Sequence, residues 1–384
     1  MKIFEHKKLF LPTMTMILFL LGFENAGFQL ALLSAAEEFS LSEDAMGLLV
    51  AAQYVSMGVM PLLFGRLADR AGKKKIIIIF MLVFAAGSVM AGLPGTVVLF
   101  TAGVSVIGAG FSVSECTVAA ALADAYEERS EKYINFANVF FGIGAVVSPL
   151  VLQALMDRSP GSWRAVFLIC ALAIAIVVPF LVFSRFKPTL PVAAVGQKPK
   201  FGSIMLLLSF IFCMFVYVGI ENGIAFYADA IFVLELDAPA FGAYAISLLW
   251  GFMAGARLFF GMRKKIPRLI VPVSLFALAG LMAGVMFCRD PALMLCLFAA
   301  AGVACGCVWP GIMSAATSRY PGATGAVASY LVVGGGFGGS FMPVAMGGVM
   351  VFTGTAGSFV IMVAGAVITG AIMLRAKRFD VEAR

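Results

Sequence analysis

The chain has 384 residues, of which 62% are hydrophobic and 12% charged, against roughly 45–50% and 25% in soluble domains; this excludes an ordinary soluble enzyme. A mean hydropathy of +1.04 with no long polar block also excludes a secreted domain on a single anchor. The net charge of +7 does not point to nucleic acid, because the basic residues lie in loops between apolar runs and report membrane topology.

A membrane-crossing helix needs about 20 apolar residues. Such runs fall near 10–34, 45–65, 76–93, 97–122, 133–156, 164–184, 203–229, 240–262, 268–288, 291–316, 323–350 and 356–375. The pattern predicts an all-α integral membrane protein with twelve crossings. If both termini are cytoplasmic, 24 of the 27 Lys and Arg residues are cytoplasmic, and only Arg158, Arg164 and Arg289 fall outside. The positive-inside rule therefore predicts a multi-pass protein of the plasma membrane with cytoplasmic termini. The first outer loop agrees, carrying Glu37, Glu38, Glu43 and Asp44 without a basic residue, and Ser42 there is a candidate N-cap for the second helix. The first apolar run is too long for a cleavable signal.

Seven cysteines lie almost all within apolar runs, and His6 is the only histidine, so neither a metal cluster nor a disulfide framework is expected. Cys305 and Cys307 are read as small packing residues. The segment from Arg185 to Lys200 holds three prolines and four basic residues and reads as a cytoplasmic linker. The expected division is an N-terminal six-helix bundle over 1–184, a linker over 185–202 and a C-terminal six-helix bundle over 203–384.

The two halves repeat. GFENAG at 22–27 matches GIENGI at 219–224, placing Glu24 and Glu221 in register at a separation of 197 residues. FGIGAVVSP ending at Pro149 matches GGFGGSFMP ending at Pro343, a separation of 194, with Gly142 and Gly144 in register with Gly336 and Gly338. Tandem duplication of a six-helix unit is an architecture in which substrate sites form at the repeat interface near mid-membrane.

The loop after the second run reads GRLADRAGKKK, from Gly65 to Lys75. It resembles the signature loop of the major facilitator superfamily, G-x-L-a-D-r-x-G-r-k, and the duplicated twelve-helix pattern extends that resemblance over the whole chain. The resemblance implies two pseudo-symmetric six-helix bundles, with Gly65, Asp69, Arg70 and Gly72 forming a conformational latch. Glycine permits the tight turn. Asp69 can meet the positive end of a neighbouring helix, while the basic residues stay at the surface.

An ionisable group inside a span costs on the order of 3 kcal/mol and marks function by default. Glu24, Glu115 and Glu221 stand out, in the first, fourth and seventh runs, which line the central cavity in the resembled fold together with the tenth. At the separation of 194, Glu115 corresponds to Trp309. The line Ser105, Gly108, Ser112, Glu115, Ala119 is small or polar at helical steps, as a cavity face or close-packed face requires. Tyr217, four residues before Glu221, can bring its hydroxyl near that carboxyl. A low-dielectric site disfavours the charged form of a carboxyl, so these three are the candidate proton-coupling groups, with Glu115 favoured because the second half keeps no carboxyl at its position. Candidate substrate-binding residues are Asn25, Gln29, Gln53, Tyr54, Asn138, Tyr217, Asn222, Trp250 and Trp309, amides and aromatics that suit polyhydroxylated solutes. Arg257, near the end of the eighth run, is expected to snorkel to the surface, and a cavity with carboxylates and no central Arg or Lys argues against phosphate, sulfate or dicarboxylate substrates.

Two drug-antiporter patterns are not met: the arginine of the helix 4 motif R-x-x-q-G is Val104 here, and the helix 5 motif ending G-P-x-x-G-G is reduced to Ser148 and Pro149. YVGIENG at 217–223, Glu115, VWPGIMS at 308–314 and the glycine-rich eleventh run are similar instead to the fucose/glucose-type sugar:proton symporters. The expectation is a non-enzymatic secondary transporter for proton-coupled uptake of a sugar or similar neutral polar metabolite. Its partners are then a small molecule, protons and the bilayer, with no nucleic acid; it is a monomer without a cofactor, driven by the proton gradient. Proton-coupled efflux of cationic or amphipathic compounds is the alternative, a lipid flippase a more remote one. No nucleophile, metal or phosphate motif supports an enzyme.

Overall fold

The computed structural model describes residues 7–126, 130–186, 204–261, 269–320 and 324–382. Bilayer hydrocarbon offers no partner to backbone N–H and C=O groups, so a polypeptide that crosses it must satisfy them internally. Accordingly the described residues form helices joined by short connections: α1 (Phe10–Glu38), α2 (Glu43–Ala71), α3 (Lys73–Gly92), α4 (Val97–Tyr126), α5 (Ser130–Met156), α6 (Ala165–Phe183), α7 (Ile204–Ala230), α8 (Gly242–Gly261), α9 (Ile270–Phe287), α10 (Pro291–Gly306), α11 (Val308–Arg319), α12 (Thr324–Ser358) and α13 (Val360–Glu382). Among the described residues eleven helical spans are long and apolar enough to cross a membrane, and α13 adds a shorter apolar stretch, Val360–Arg375. Large hydrophobic side chains such as Leu63, Leu172, Ile176 and Phe352 stand exposed, which suits a surface solvated by lipid.

The tenth apolar run is divided between α10 and α11 at Cys307. The cause is Pro310, whose ring nitrogen has no hydrogen to give the carbonyl of Gly306 and whose ring crowds it. Helix α12 continues past the eleventh run and bends at Gly354, where φ is +73°.

The chain forms two compact units, one of Met1–Phe39 with Ala52–Gly196 and one of Ser40–Ala51 with Gln197–Arg384. Within the first, α1 packs along α5 and α6, and α3 along α4 and α6; within the second, α7 packs along α12 and α13, α8 along α10, and α9 along α13. Glycines set these approaches, since small residues let backbones close on one another where lipid supplies no hydrophobic drive between helices. Gly22 and Gly144 each abut the partner backbone between α1 and α5, at Phe141 and Phe19. Gly219 and Gly338 do the same between α7 and α12, at Gly338 and Phe215. Gly108 meets the carbonyl of Gln53, and Gly302 that of Leu249. The duplication read from sequence is thus also a duplication of packing.

A further pair of carboxylates shares the separation of 197. Glu38, at the end of α1, accepts a hydrogen bond from Trp163 Nε1 at 2.9 Å and pairs with Arg164, whose Nη1 also donates to the carbonyls of Ala91 and Leu93 at 3.3 and 3.1 Å. The Arg164 guanidinium lies over the Trp163 ring, 4.3 Å from its centroid. Glu235, at the end of the π-helical turn after α7, accepts from the backbone N–H of Ala356 at 2.5 Å and faces Arg289 at 3.9 Å. Each carboxylate reaches the segment that leads into the last helix of its own unit.

Candidate functional site

Glu24 and Asn25 sit in the middle of α1, the most buried helix of the first unit. Glu24 has no exposed surface. The two residues that meet them are also consecutive, on α2: Gln53 Nε2 donates to both Glu24 carboxylate oxygens at 3.1 Å, and the Tyr54 hydroxyl donates to Asn25 Oδ1 at 3.0 Å. Gln53 is held between helices, because Gly108 of α4 presses on its carbonyl. Cys170 of α6 lies within electrostatic reach of Glu24, and the buried Ser148 of α5 sits beside Gly27. Glu24 therefore faces the interior of its own unit. Its amide partner supplies hydrogen bonds but no counter-charge.

The repeat-related carboxyl is solvated differently. Glu221 of α7 is nearly buried and pairs with Arg257 of α8, Nη2 to Oε1 at 3.1 Å. Arg257 was expected to snorkel; instead its guanidinium turns to Glu221, because an ion pair within the unit offsets the cost of each charge. A cation thus stands beside Glu221, where the sequence reading placed none. The Tyr217 hydroxyl lies beside both groups, as its spacing predicted for Glu221. It donates to the carbonyl of Cys305 at 2.8 Å, next to the α10–α11 break. Cys305 and Cys307 are buried, and Cys307 Sγ contacts Ser274 Oγ at 3.1 Å, a polar contact beyond the packing role expected.

The remaining candidates are scattered. Glu115 is half-buried on α4, where Ser112 and Ser105 bond back to the carbonyls of Gly108 and Thr101. Gln29, Asn222 and Trp250 are buried, and Asn222 Nδ2 donates to the Val218 carbonyl at 3.0 Å. Asn138 is exposed and spends its amide on the carbonyl of Ile134, and Trp309 is partly exposed at the start of α11. Gln53 is drawn into the Glu24 cluster. In the latch, the surroundings of Gly65 and the side chains of Asp69 and Arg70 lie outside what is described, while Gly72 turns the chain between α2 and α3 with φ +92°. Lys73 does not stay at the surface: its ammonium is buried against the Ala120 carbonyl at 3.2 Å and pairs with Asp124 of α4. Sequence reasoning missed that pair, the Arg257 pair and the two carboxylates Glu38 and Glu235, although the last share the spacing of Glu24 and Glu221.

The sequence model of the Major Facilitator Superfamily matches residues 14–291. The chain belongs to that superfamily. Among curated relatives, Multidrug resistance protein D of Escherichia coli is 25% identical over 240 residues, 56% of this chain and 59% of the relative. Multidrug resistance protein MdtL of Escherichia coli is 29% identical over 177 residues, 46% of this chain and 44% of the relative. The chain thus matches roughly half the length of these relatives. Solved structures alike in fold include the inward-open xylose transporter XylE of Escherichia coli, with a TM-score of 0.79, 15% identity and 96% of each chain covered. A bacterial homologue of the human lysosomal transporter Spinster follows at 0.78, with 16% identity and 98% of each chain. The fucose:proton symporter FucP of Escherichia coli has 0.67, 16% identity, and 95% of this chain with 98% of that one. These likenesses show the major facilitator fold.

Proposed function

We propose that the protein takes up a sugar or similar polar metabolite by proton-coupled alternating access, with Glu115 as the proton-exchanging carboxyl; the sequence alone favours a neutral solute, and the Arg257 guanidinium beside Glu221 lifts that restriction. The observation that most supports this is the condition of the two repeat-related glutamates. Glu221 already holds a guanidinium, and Glu24, which has no exposed surface, is enclosed against Gln53 inside its own unit, so neither carboxyl is open to a cationic solute. The same regions offer amides and aromatics, Asn25, Gln29, Asn222 and Trp250, suited to hydroxyl-rich solutes. Glu115 is half-buried and has Trp309 at its repeat position, so a carboxyl is kept there in one half only, as expected of a coupling group rather than a duplicated structural one. The charge distribution supports cytoplasmic termini in the plasma membrane, and the monomer needs no cofactor beyond the proton gradient.

A second reading, proton-coupled efflux of amphipathic compounds, is favoured by one finding, that the curated relatives are multidrug resistance proteins. Ligands that bind only the folded state raise its melting temperature, so purified protein can be warmed with neutral sugars, sugar acids or the lipophilic cation tetraphenylphosphonium. Stabilisation by sugars or sugar acids alone is expected; stabilisation by the cation alone would replace uptake with efflux.

A further inference from the structure

The Glu221–Arg257 pair is incompletely made. A guanidinium presents five N–H donors in a fixed planar fork and normally grips a carboxylate with two parallel bonds. Here a single contact joins them, Nη2 to Oε1 at 3.1 Å, while Nε is buried without a hydrogen-bond partner. Buried donors left unpaired are rare and call for an explanation. The side chain as a whole is nevertheless 38% exposed, and since Nε is buried, the edge open to a ligand is the one that carries the Nη donors.

Its surroundings belong to one unit and are suited to a small polar ligand. Trp250 lies two turns away on the same face of α8, and Asn222 follows Glu221 on α7. Tyr217 is anchored on the Cys305 carbonyl, which fixes its ring and hydroxyl beside the pair. Arginine stays charged at any working pH, so the fork is a permanent acceptor of anions.

We infer that the open edge of Arg257 recognises a carboxylate of the transported solute, which makes that solute a small hydroxylated acid of the sugar-acid type. The solute's carboxylate takes the Nη donors that Glu221 leaves unused, and its hydroxyls meet the Trp250 face. Glu221 competes for the same guanidinium and holds the fork in place while the site is empty. This rests on the transporter reading above and names the substrate class that the reading leaves open.

The test uses the purified full chain in detergent, its thermal unfolding followed with a thiol-reactive dye, and four probes: D-glucuronate, D-gluconate, D-glucose and sorbitol. The two acids are expected to raise the melting temperature and the two neutral compounds to do so weakly or not at all. R257Q should lose the response to the acids, and R257K, which keeps the charge but not the fork, should lose most of it. E221Q removes the competing charge and keeps the shape, so it should need about fivefold less acid for the same shift, the ratio a partly exposed ion pair is worth. A merely structural ion pair predicts that both R257Q and E221Q unfold earlier with no change in their response to ligand. Stabilisation by glucose without glucuronate, an undiminished response in R257Q and R257K, or no response to either acid would each overturn the inference. The first of these leaves the uptake reading standing, whereas a response to tetraphenylphosphonium alone would remove both.

Discussion

Gly338→Ala and Gly144→Ala should destabilise the protein through the same contact in each unit. A Cβ at 338 would lie within 3.0 Å of the carbonyl oxygen, the carbonyl carbon and the Cα of Phe215, and one at 144 within 3.0 Å of the Phe19 carbonyl and the Phe23 nitrogen. These obstacles are backbone, so no side chain can rotate away; α12 must separate from α7, or α5 from α1. Overpacking of this kind costs about 1–3 kcal/mol. Because a helix has to move, the upper end applies, and about 3 kcal/mol is roughly a hundredfold in the folding equilibrium. Gly255→Ala is the control: nothing lies within 4 Å of its Cβ position, and alanine there should gain up to about 1 kcal/mol of helix propensity. The assay is thermal unfolding reported by the buried thiols Cys170, Cys213 and Cys305, with exposed Cys116 and Cys296 as a constant background. Gly338→Ala and Gly144→Ala melting with wild type and Gly255→Ala would refute the close backbone approaches and, with them, the packing duplication.

The two glutamates should respond unequally to loss of charge. Glu221→Gln leaves Arg257 without its counter-charge and should cost about 1 kcal/mol, given the partial exposure of that pair, while Glu24→Gln, whose partner is a neutral amide, should melt with wild type; a larger loss in Glu24→Gln would contradict the assignment of partners. For topology, a Gln197→Cys variant should resist a membrane-impermeant thiol reagent applied to intact cells and react after permeabilisation. Labelling from outside would reverse the orientation drawn from the basic residues.

Much of the fold was legible in the sequence because its signals are one-dimensional. Apolar run length encodes membrane crossing, and the separations of 197 and 194 residues carry the duplication without any knowledge of contacts. The signature loop then carried the family. Side-chain partners were less legible. Arg257 lies near the end of α8, where the simplest physical expectation is the aqueous surface; that it meets Glu221 depends on how α7 and α8 cross. Gln53 carries no mark that distinguishes a solute-binding amide from the partner of a buried carboxyl. Asn138 was chosen for its residue type, and only the orientation of α5 shows that its amide is satisfied by its own helix. The Glu38 and Glu235 pair is a different case, since the spacing was present and only the assumption that loop carboxylates are mere topology signals concealed it. The break at Cys307 is likewise readable from Pro310, but hydropathy alone shows one continuous apolar run there.

The central claim is that proton coupling passes through the carboxyl on α4. It is tested most directly by reconstituting wild type and Glu115→Gln in proteoliposomes and measuring solute uptake against an imposed proton gradient alongside counterflow without one, using the sugar or sugar acid that stabilises the protein. Glutamine keeps the shape and one hydrogen-bonding mode of the side chain while removing ionisation. The expected result is that gradient-driven accumulation is lost in Glu115→Gln while counterflow, which requires no net proton release, persists. Accumulation in Glu115→Gln with the same dependence on pH as wild type would contradict the claim.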